Sequence, residues 1–457
     1  MAGKQILTHS KVRKLQRTLY QQAKNKPNWR AWSLYAELSR REFVEEAMSR
    51  IFNNRGGSGV DGFTLEMMQA DWENFRDCLC EELRTKSYQP SPVKRIRIPK
   101  SNGGERELGI PTVKDRVVQM LLVLVLEPIF EADFHDESYG YRRGKKAVDA
   151  IASIGGSLYF GKTTVIEADL SRYFDTIDHQ RLLRLVKRRV SDGSILGLLK
   201  SFLRVPIVEV AAKSEKRRTI PKGKKGVPQG GVISPLLANL YLDALDHAVN
   251  RLDPARVKMV RYADDFVILI KGGHEEELLE RVADWLEKVG LALNRSKTKV
   301  TDVSQGGKVE FLGYELREQR SEKTGRRYIR RRPSKRSCQK LRDGVRKELH
   351  HWSTWRDTAE AVSRVNRIVR GWGNYFHSDH STEVFRSLNH WLGNRLRIWL
   401  SKKHKLRHKS KWVSYPDETL YEELGLYRLP EQSVWWQRER VGQSPRKAGC
   451  GKTARPV

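Results

Sequence analysis

Cysteine is scarce in this chain, with four in 457 residues: Cys78, Cys80, Cys338 and Cys450. They make neither a disulfide framework nor two matched metal-ligand pairs, which excludes a disulfide-stapled scaffold and a four-cysteine zinc site. Long apolar runs are missing as well. The longest, Val117 to Leu126, is interrupted by Gln119 and is too short to span a bilayer, so it reads as a buried helix and no membrane partner is expected. The opening Met1-Ala2-Gly3-Lys4-Gln5 holds no apolar signal core, and a reducing cytoplasm, with association to a nucleoid there, is the expected location. No repeat of fixed period recurs. Negative charge is in deficit: 55 acidic against 87 basic residues leave a formal net charge of +32. Such a field concentrates polyanions, and the 12 Trp, 15 Tyr and 13 Phe offer faces on which bases stack. Nucleic acid is the expected partner. The length calls for two or three structural units, each with its own core.

What is present begins with Tyr262-Ala263-Asp264-Asp265 between two strand-like runs, Val257 to Arg261 and Phe266 to Ile270. This is the composition of a tight hairpin with two carboxylates at its tip. An ordinary acidic turn looks the same, but paired oxygens at a sheet edge also suit Mg²⁺, which takes one or two protein carboxylates plus waters and phosphates. Upstream, Val93 to Lys100 alternates apolar and basic residues, and Ser101-Asn102-Gly103-Gly104 turns the chain into a second strand, Glu105 to Pro111. Lys100 and Arg106 near this tip would clamp a triphosphate or form a solvated basic hairpin. Asp169 closes the apolar strand Val165 to Leu170, where it would project into a cleft or cap the next element. Gly226-Val227-Pro228-Gln229-Gly230-Gly231 opens into a helix, with Ser234 as its expected N-cap and Pro235 in its first turn. The glycine-dense Asn53 to Gly62 has neither Walker nor dinucleotide spacing and reads as a connection.

Taken in order, Asp169, Pro228-Gln229-Gly230, Tyr262-Ala263-Asp264-Asp265, Lys297 and Phe311-Leu312-Gly313-Tyr314 resemble the palm of a group II intron reverse transcriptase/maturase. Gly371-Trp372-Gly373-Asn374-Tyr375-Phe376 is similar to the maturase region, domain X or thumb, of that family. The resemblance implies an α+β chain with a right-hand polymerase fold: fingers and palm with antiparallel sheet, then an α-helical thumb. Its expected divisions are a helical N-terminal extension and loop (1–62), fingers and palm (63–314), thumb or domain X (315–411) and a basic tail (412–457).

The resemblance further implies that Asp169 and Asp264, with the backbone carbonyl of Leu170, hold two Mg²⁺ ions, for which Mn²⁺ can stand in, and that Asp265 belongs to the same acidic cluster. Lys100, Arg106, Phe174, Gln229 and Lys297 fall at nucleotide-binding positions, Phe174 screening the sugar 2′ position and Lys297 assisting the leaving pyrophosphate. Phe311, Leu312, Gly313 and Tyr314 match the primer grip. In the basic helices, Arg395, Arg397, Lys402, Lys403 and Arg407 are candidates for phosphate contact, while Trp372, Tyr375 and Phe376 are expected to pack in the core. Expected partners are group II intron RNA, an RNA template with a DNA primer, deoxynucleoside triphosphates and target DNA, for a monomer or homodimer. Many members carry a C-terminal endonuclease domain with cysteine pairs; Lys409 to Val457 is short and holds only Cys450, so an endonuclease-lacking form with a DNA-binding remnant is expected. A splicing maturase without polymerase activity and a related enzyme recruited to host defence are the alternatives.

Overall fold

The computed structural model describes residues 10–99, 104–210, 217–221, 223–377, 380–406 and 411–431. Lys100, Arg407 and most of the basic tail lie outside them. The chain divides into two compact units, 1–150 with 166–300 and 151–165 with 301–457. Eleven strands are described: β1 (Val93–Pro99), β2 (Glu105–Ile110), β3 (Thr164–Ala168), β4 (Ile207–Val210), β5 (Arg217–Ile220), β6 (Val257–Tyr262), β7 (Asp265–Ile270), β8 (Lys299–Asp302), β9 (Lys308–Phe311), β10 (Tyr314–Arg320) and β11 (Arg327–Pro333). They form three sheets, ordered β2-β1-β4-β5, β6-β7-β3-β8 and β11-β10-β9.

In the first unit, the apolar run around Val117 is part of the helix Val113–Glu131. Thr112 caps it, its hydroxyl accepting from the Asp115 N–H at 3.1 Å. Val117, Leu121, Leu122, Leu124, Val125 and Leu126 are fully buried, each contributing about 1.5–3 kcal/mol of transfer free energy. The helices Ser10–Asn25 and Arg41–Asn54 pack against this one through Leu19, Phe43 and Met48. These two N-terminal helices are therefore part of this unit's core. Gln119 is buried too, its Oε1 accepting from the Val232 N–H at 2.7 Å and so pinning the loop that carries Gln229.

Two local expectations are corrected. The β2-β1-β4-β5 sheet is mixed: β1 pairs antiparallel with β2 but parallel with β4, as the long connection between the two strands allows. The helix Ser234–Leu252 has Ile233 at its N-cap without a side-chain cap. Ser234 instead donates its hydroxyl to the Pro228 carbonyl at 2.7 Å, because the turn at Gly231 folds that carbonyl back over the helix start.

The second unit combines the β9-β10-β11 sheet with the helices Lys335–Glu348, Thr358–Phe376 and Thr382–Lys403. Glu315, where the composition shifts, lies inside β10, and the division between the units falls at 300/301. The basic strand β11 is thus bound into the sheet that also carries the Phe311 to Tyr314 hairpin.

Candidate active site

β6 and β7 are joined by two residues, Ala263 and Asp264, with Tyr262 and Asp265 as the closing pair. Ala263 has φ +61°, a left-handed conformation that costs an L-residue about 1–2 kcal/mol. A buried network holds it there. The Arg261 guanidinium donates to the Ala263 carbonyl at 2.8 Å and to Asn239 Oδ1 at 2.9 Å, while its Nε binds Asp246 Oδ1 at 2.7 Å. Asn239 donates in turn to the Gly140 carbonyl at 2.8 Å. A Cβ on Gly140 would stand 2.3 Å from the Ala263 nitrogen, so only glycine lets this segment lie against the hairpin. Sequence reading missed Gly140, Asn239, Asp246 and Arg261. The available signals were a charged residue inside an apolar strand and two polar residues seven apart on one helix face.

β7 lies beside β3, so Asp265 heads one strand while Asp169 follows the other. A bridge between Leu170 and Leu293 holds the Asp169 backbone, the Asn294 N–H donating to the Asp169 carbonyl at 2.8 Å and the Ser171 N–H to the Ala292 carbonyl at 2.9 Å. These bonds run through the neighbours of Leu170, and its own carbonyl is not consumed by the bridge. The same turn presents Lys297, whose Nζ lies 2.6 Å from Asp169 Oδ2. That hydrogen bond and the charge of Asp169 raise the lysine's pKa.

The three carboxylates act on one another. Burial and the charge of Asp169 raise Asp264; partial desolvation with the charges of Asp264 and Asp169 pushes Asp265 up to about 6. Among the described residues, no group of three or more His, Cys, Asp or Glu side chains is assembled as a metal cage. Mg²⁺ needs only one or two protein carboxylates, and Asp169 and Asp264 supply hard anionic oxygens whose mutual repulsion a divalent cation would relieve. The residues present fit such an ion.

The raised Asp265 has a consequence for the metal-free protein. Its folded carboxyl binds a proton more tightly than the unfolded one, so its contribution to stability is full below pH ~4 and is lost as pH rises through ~6. Asp265→Asn is therefore expected to raise Tm in EDTA at neutral pH and leave it unchanged near pH 4; an equal gain at both would place the cause elsewhere. The gain is modest, because Asp265 stays in contact with solvent.

Other expected residues lie on further segments of the first unit. Arg106 is exposed on β2. The Tyr141 phenol is raised by partial burial and by the fields of Asp264, Tyr262 and Asp265, which Arg106 opposes; Arg106 and the carboxylates thus act on one common neighbour that the sequence had not marked. The Gln229 carbonyl accepts from the Gly109 N–H at 2.7 Å, laying the Pro228-Gln229-Gly230 loop along β2. Gly230, at φ +107°, is obligatory here, since a Cβ would stand 2.5 Å from the Gly109 carbonyl oxygen. Phe174 is half-buried, its ring edge-on to Tyr173 at a centroid distance of 5.4 Å.

In the second unit, Leu312 and Gly313 form a two-residue turn with φ +50° and +79°. The Gly371 to Phe376 stretch is its dock. Tyr375 donates its hydroxyl to the Leu312 carbonyl at 3.0 Å, Ser337 donates to the Gly313 carbonyl at 2.9 Å, and Trp372 Nε1 donates to the Ser337 carbonyl at 3.2 Å. Phe376 packs on Tyr314 with a centroid distance of 4.9 Å. Packing is thus the role of Trp372 and Phe376, and Tyr375, although partly exposed, shares it.

The phosphate-contact candidates separate. Arg397 is buried, hydrogen-bonded to the Tyr415 carbonyl at 2.7 Å, paired with Asp417 and stacked over Trp412 at 4.0 Å, so it leaves that set. Arg395 donates to the Leu349 carbonyl at 2.8 Å and Lys403 to the Arg356 carbonyl at 2.7 Å, both tying helices together. Lys402 remains exposed. Their basic character in a helical region marked these side chains as candidates but could not show that carbonyls of neighbouring segments face them.

Two family models match the chain: reverse transcriptase (RNA-dependent DNA polymerase) over residues 98–316, and the group II intron maturase-specific domain over residues 328–415. Protein YkfC of Escherichia coli (strain K12) is 35% identical over 349 residues, 68% of this chain and 89% of its own length. The group II intron-encoded protein LtrA of Lactococcus lactis subsp. cremoris is 29% identical over 363 residues, 63% of this chain and 57% of LtrA. An uncharacterized 91 kDa protein in the cob intron of Schizosaccharomyces pombe is 26% identical over 443 residues, covering 80% of this chain and 53% of that protein. The chain thus spans a little over half the length of the two intron proteins. With both domains matched in order and the carboxylate hairpin inside the first, the chain belongs to the group II intron reverse transcriptase/maturase family.

Proposed function

We propose that this chain is an RNA-directed DNA polymerase that also binds group II intron RNA and promotes its splicing and mobility. The observation that carries the polymerase reading is the convergence of Asp169, Asp264 and Asp265 from separate strands within the reverse transcriptase match. In this reading the first unit forms the fingers and palm of a right hand, and the helices of the second unit form its thumb. Bound divalent cations would supply Lewis-acid activation of a primer 3′-hydroxyl and charge neutralisation of the triphosphate and leaving pyrophosphate.

The chain's own residues do the rest. Asp169 and Asp264 would hold the cations, with the Leu170 carbonyl beside them and Asp265 adding to the negative field. Arg106, with Lys100, orients the triphosphate through charge-assisted hydrogen bonds, and Lys297, a short step from Asp169, can give a proton to the departing pyrophosphate. Gln229 and the flanking glycine backbone line the nucleotide pocket. The Phe311 to Tyr314 hairpin, rigid on its helix, positions the primer end.

Phe174 is assigned to exclusion of the 2′-hydroxyl. Phe174→Val is expected to raise incorporation of ribonucleotides relative to matched deoxynucleotides by about 10- to 200-fold, read from single-nucleotide addition; an unchanged ratio would return Phe174 to packing alone.

Primer extension by the purified chain, on an RNA template with a DNA primer, tests the main reading. Synthesis of cDNA that depends on Mg²⁺ supports it. Tight binding of intron RNA without synthesis would leave a maturase alone.

A further inference from the structure

β6 is an edge strand, and the segment Glu137 to Tyr139 lies along its free side. The Arg261 N–H donates to the Glu137 carbonyl at 2.9 Å, and the Tyr139 N–H donates to the Arg261 carbonyl at 2.9 Å, a parallel bridge that lengthens the sheet by one short step. Arg142 fastens the far end of this segment. Its buried guanidinium donates to the His135 carbonyl at 2.5 Å and to the Ser138 carbonyl at 2.7 Å, while its Nε binds Glu131 Oε1 at 3.0 Å. With Asn239 on the Gly140 carbonyl, the backbone on both sides of residue 141 is fixed.

That residue is Tyr141, and its backbone is left-handed with φ +59°, an outlier for a bulky L-residue. Strain of this kind persists only where the surroundings over-determine it, and it gathers at functional sites. Nothing in the fold is served by the side chain. It is 56% exposed, its ring stacks on no other aromatic ring, and its hydroxyl bonds to no protein group among the described residues. Other tyrosines of the same unit differ: the Tyr139 hydroxyl donates to Glu137 at 3.1 Å, and those of Tyr173 and Tyr241 donate to the Ala238 and Val289 carbonyls, each at 2.6 Å. Packing therefore does not account for Tyr141.

Its neighbours show what it faces. Gly140 lies directly against Tyr262 and Ala263, so Tyr141 stands one residue from a contact with the turn that carries Asp264. The fields of Asp264 and Asp265 reach its phenol, and so does that of Arg106 on β2. A triphosphate oriented by Arg106 and joined to cations on the carboxylates has to bridge the groups whose fields meet there. We propose that Tyr141 is a nucleotide-binding residue, whose hydroxyl donates a hydrogen bond to the triphosphate of the incoming deoxynucleotide. This rests on the polymerase reading above and adds a residue to its nucleotide site. A phenol is a neutral donor at working pH, and phosphate oxygens are anionic acceptors, so the bond is of the stronger, charge-assisted kind. The braced backbone holds the donor in place before the nucleotide arrives, which lowers the ordering cost of binding.

The test uses the full chain with an RNA template, a DNA primer, Mg²⁺ and the complementary deoxynucleoside triphosphate. Tyr141→Phe removes one oxygen and keeps the ring. It is expected to raise the nucleotide KM about tenfold, with kcat within about twofold of wild type and Tm unchanged. On a dideoxy-terminated primer, where no bond can form, the nucleotide Kd should rise by the same factor while affinity for template-primer stays as it was. Inhibition by pyrophosphate should weaken by a similar factor, because the lost donor served the phosphates. Tyr141→Leu, which also removes the ring, should lose at least as much nucleotide affinity. A residue that only braced the hairpin would lower kcat and leave the nucleotide Kd alone. Wild-type KM and Kd in Tyr141→Phe therefore overturn the proposal, as does a raised KM with undiminished pyrophosphate inhibition. A wild-type chain that binds template-primer but adds no nucleotide overturns the polymerase reading, and this one with it.

Discussion

Asp264→Asn is expected to lower primer extension by at least about 10³-fold, equivalent to about 4 kcal/mol of transition-state stabilisation, without unfolding the protein. Asp264 lies in the two-residue turn, fixed by the bond from Arg261 to the Ala263 carbonyl, so the amide enters the same position with one charge fewer. Burial beside Asp169 already makes the ionised carboxylate costly, and the neutral side chain should raise Tm in metal-free buffer while activity is lost. Asp169→Asn should match the loss of extension but not the gain in stability, because it also breaks the 2.6 Å pair with Lys297. The two measurements are single-turnover extension and thermal unfolding on the same preparations. Retained extension in either variant, with the fold intact, would remove that residue from the metal-binding pair.

Arg261→Met should destabilise the first unit by about 3–5 kcal/mol, the usual cost of leaving a buried charge without its partner. Arg261 and Asp246 are each 1% exposed, and the substitution strands the Asp246 carboxylate, Asn239 Oδ1 and the Ala263 carbonyl together. The double variant Arg261→Met with Asp246→Leu removes the stranded charge and should recover most of the lost stability. It should not recover polymerase activity, because Ala263 still lacks the donor that holds its left-handed backbone and hence the placement of Asp264. Chemical denaturation and primer extension separate the two effects. Recovery of both would make the network a matter of folding only; recovery of stability alone marks Arg261 as a positioning residue.

The candidate charges stand at transitions in pattern, which left each of them open between a ligand and an ordinary turn or cap until the family resemblance singled them out. Asp169 follows an apolar strand, Asp264 and Asp265 interrupt two of them, and Lys297 stands just before β8. The hairpin was legible from alternation, and the buried helix around Val117 from its apolar run. The supports of the site were not, because each depends on contacts between residues distant in sequence. Gly140 is dictated by a backbone more than a hundred residues away, and Arg397 looked like its basic neighbours until Asp417 and Trp412 were found around it. Ser234 carried a true helix-start signal, yet its hydroxyl serves the Pro228 loop. Local pattern and the family resemblance together marked the carboxylates, while tertiary packing decided which polar groups around them are structural.

The parallel pairing of β1 with β4 also bears on how the protein is made. Val93 leaves the ribosome long before its partner Ile207, and at typical synthesis rates the wait is on the order of ten seconds. During that time β1 and β2 can pair only with each other, whereas the helices Ser10–Asn25, Arg41–Asn54 and Val113–Glu131 have their mutual partners as soon as the last emerges. The apolar helical layer is thus positioned to form first and to shelter its own surface, and the sheet bearing the carboxylates to close late, once β6 and β7 have been made.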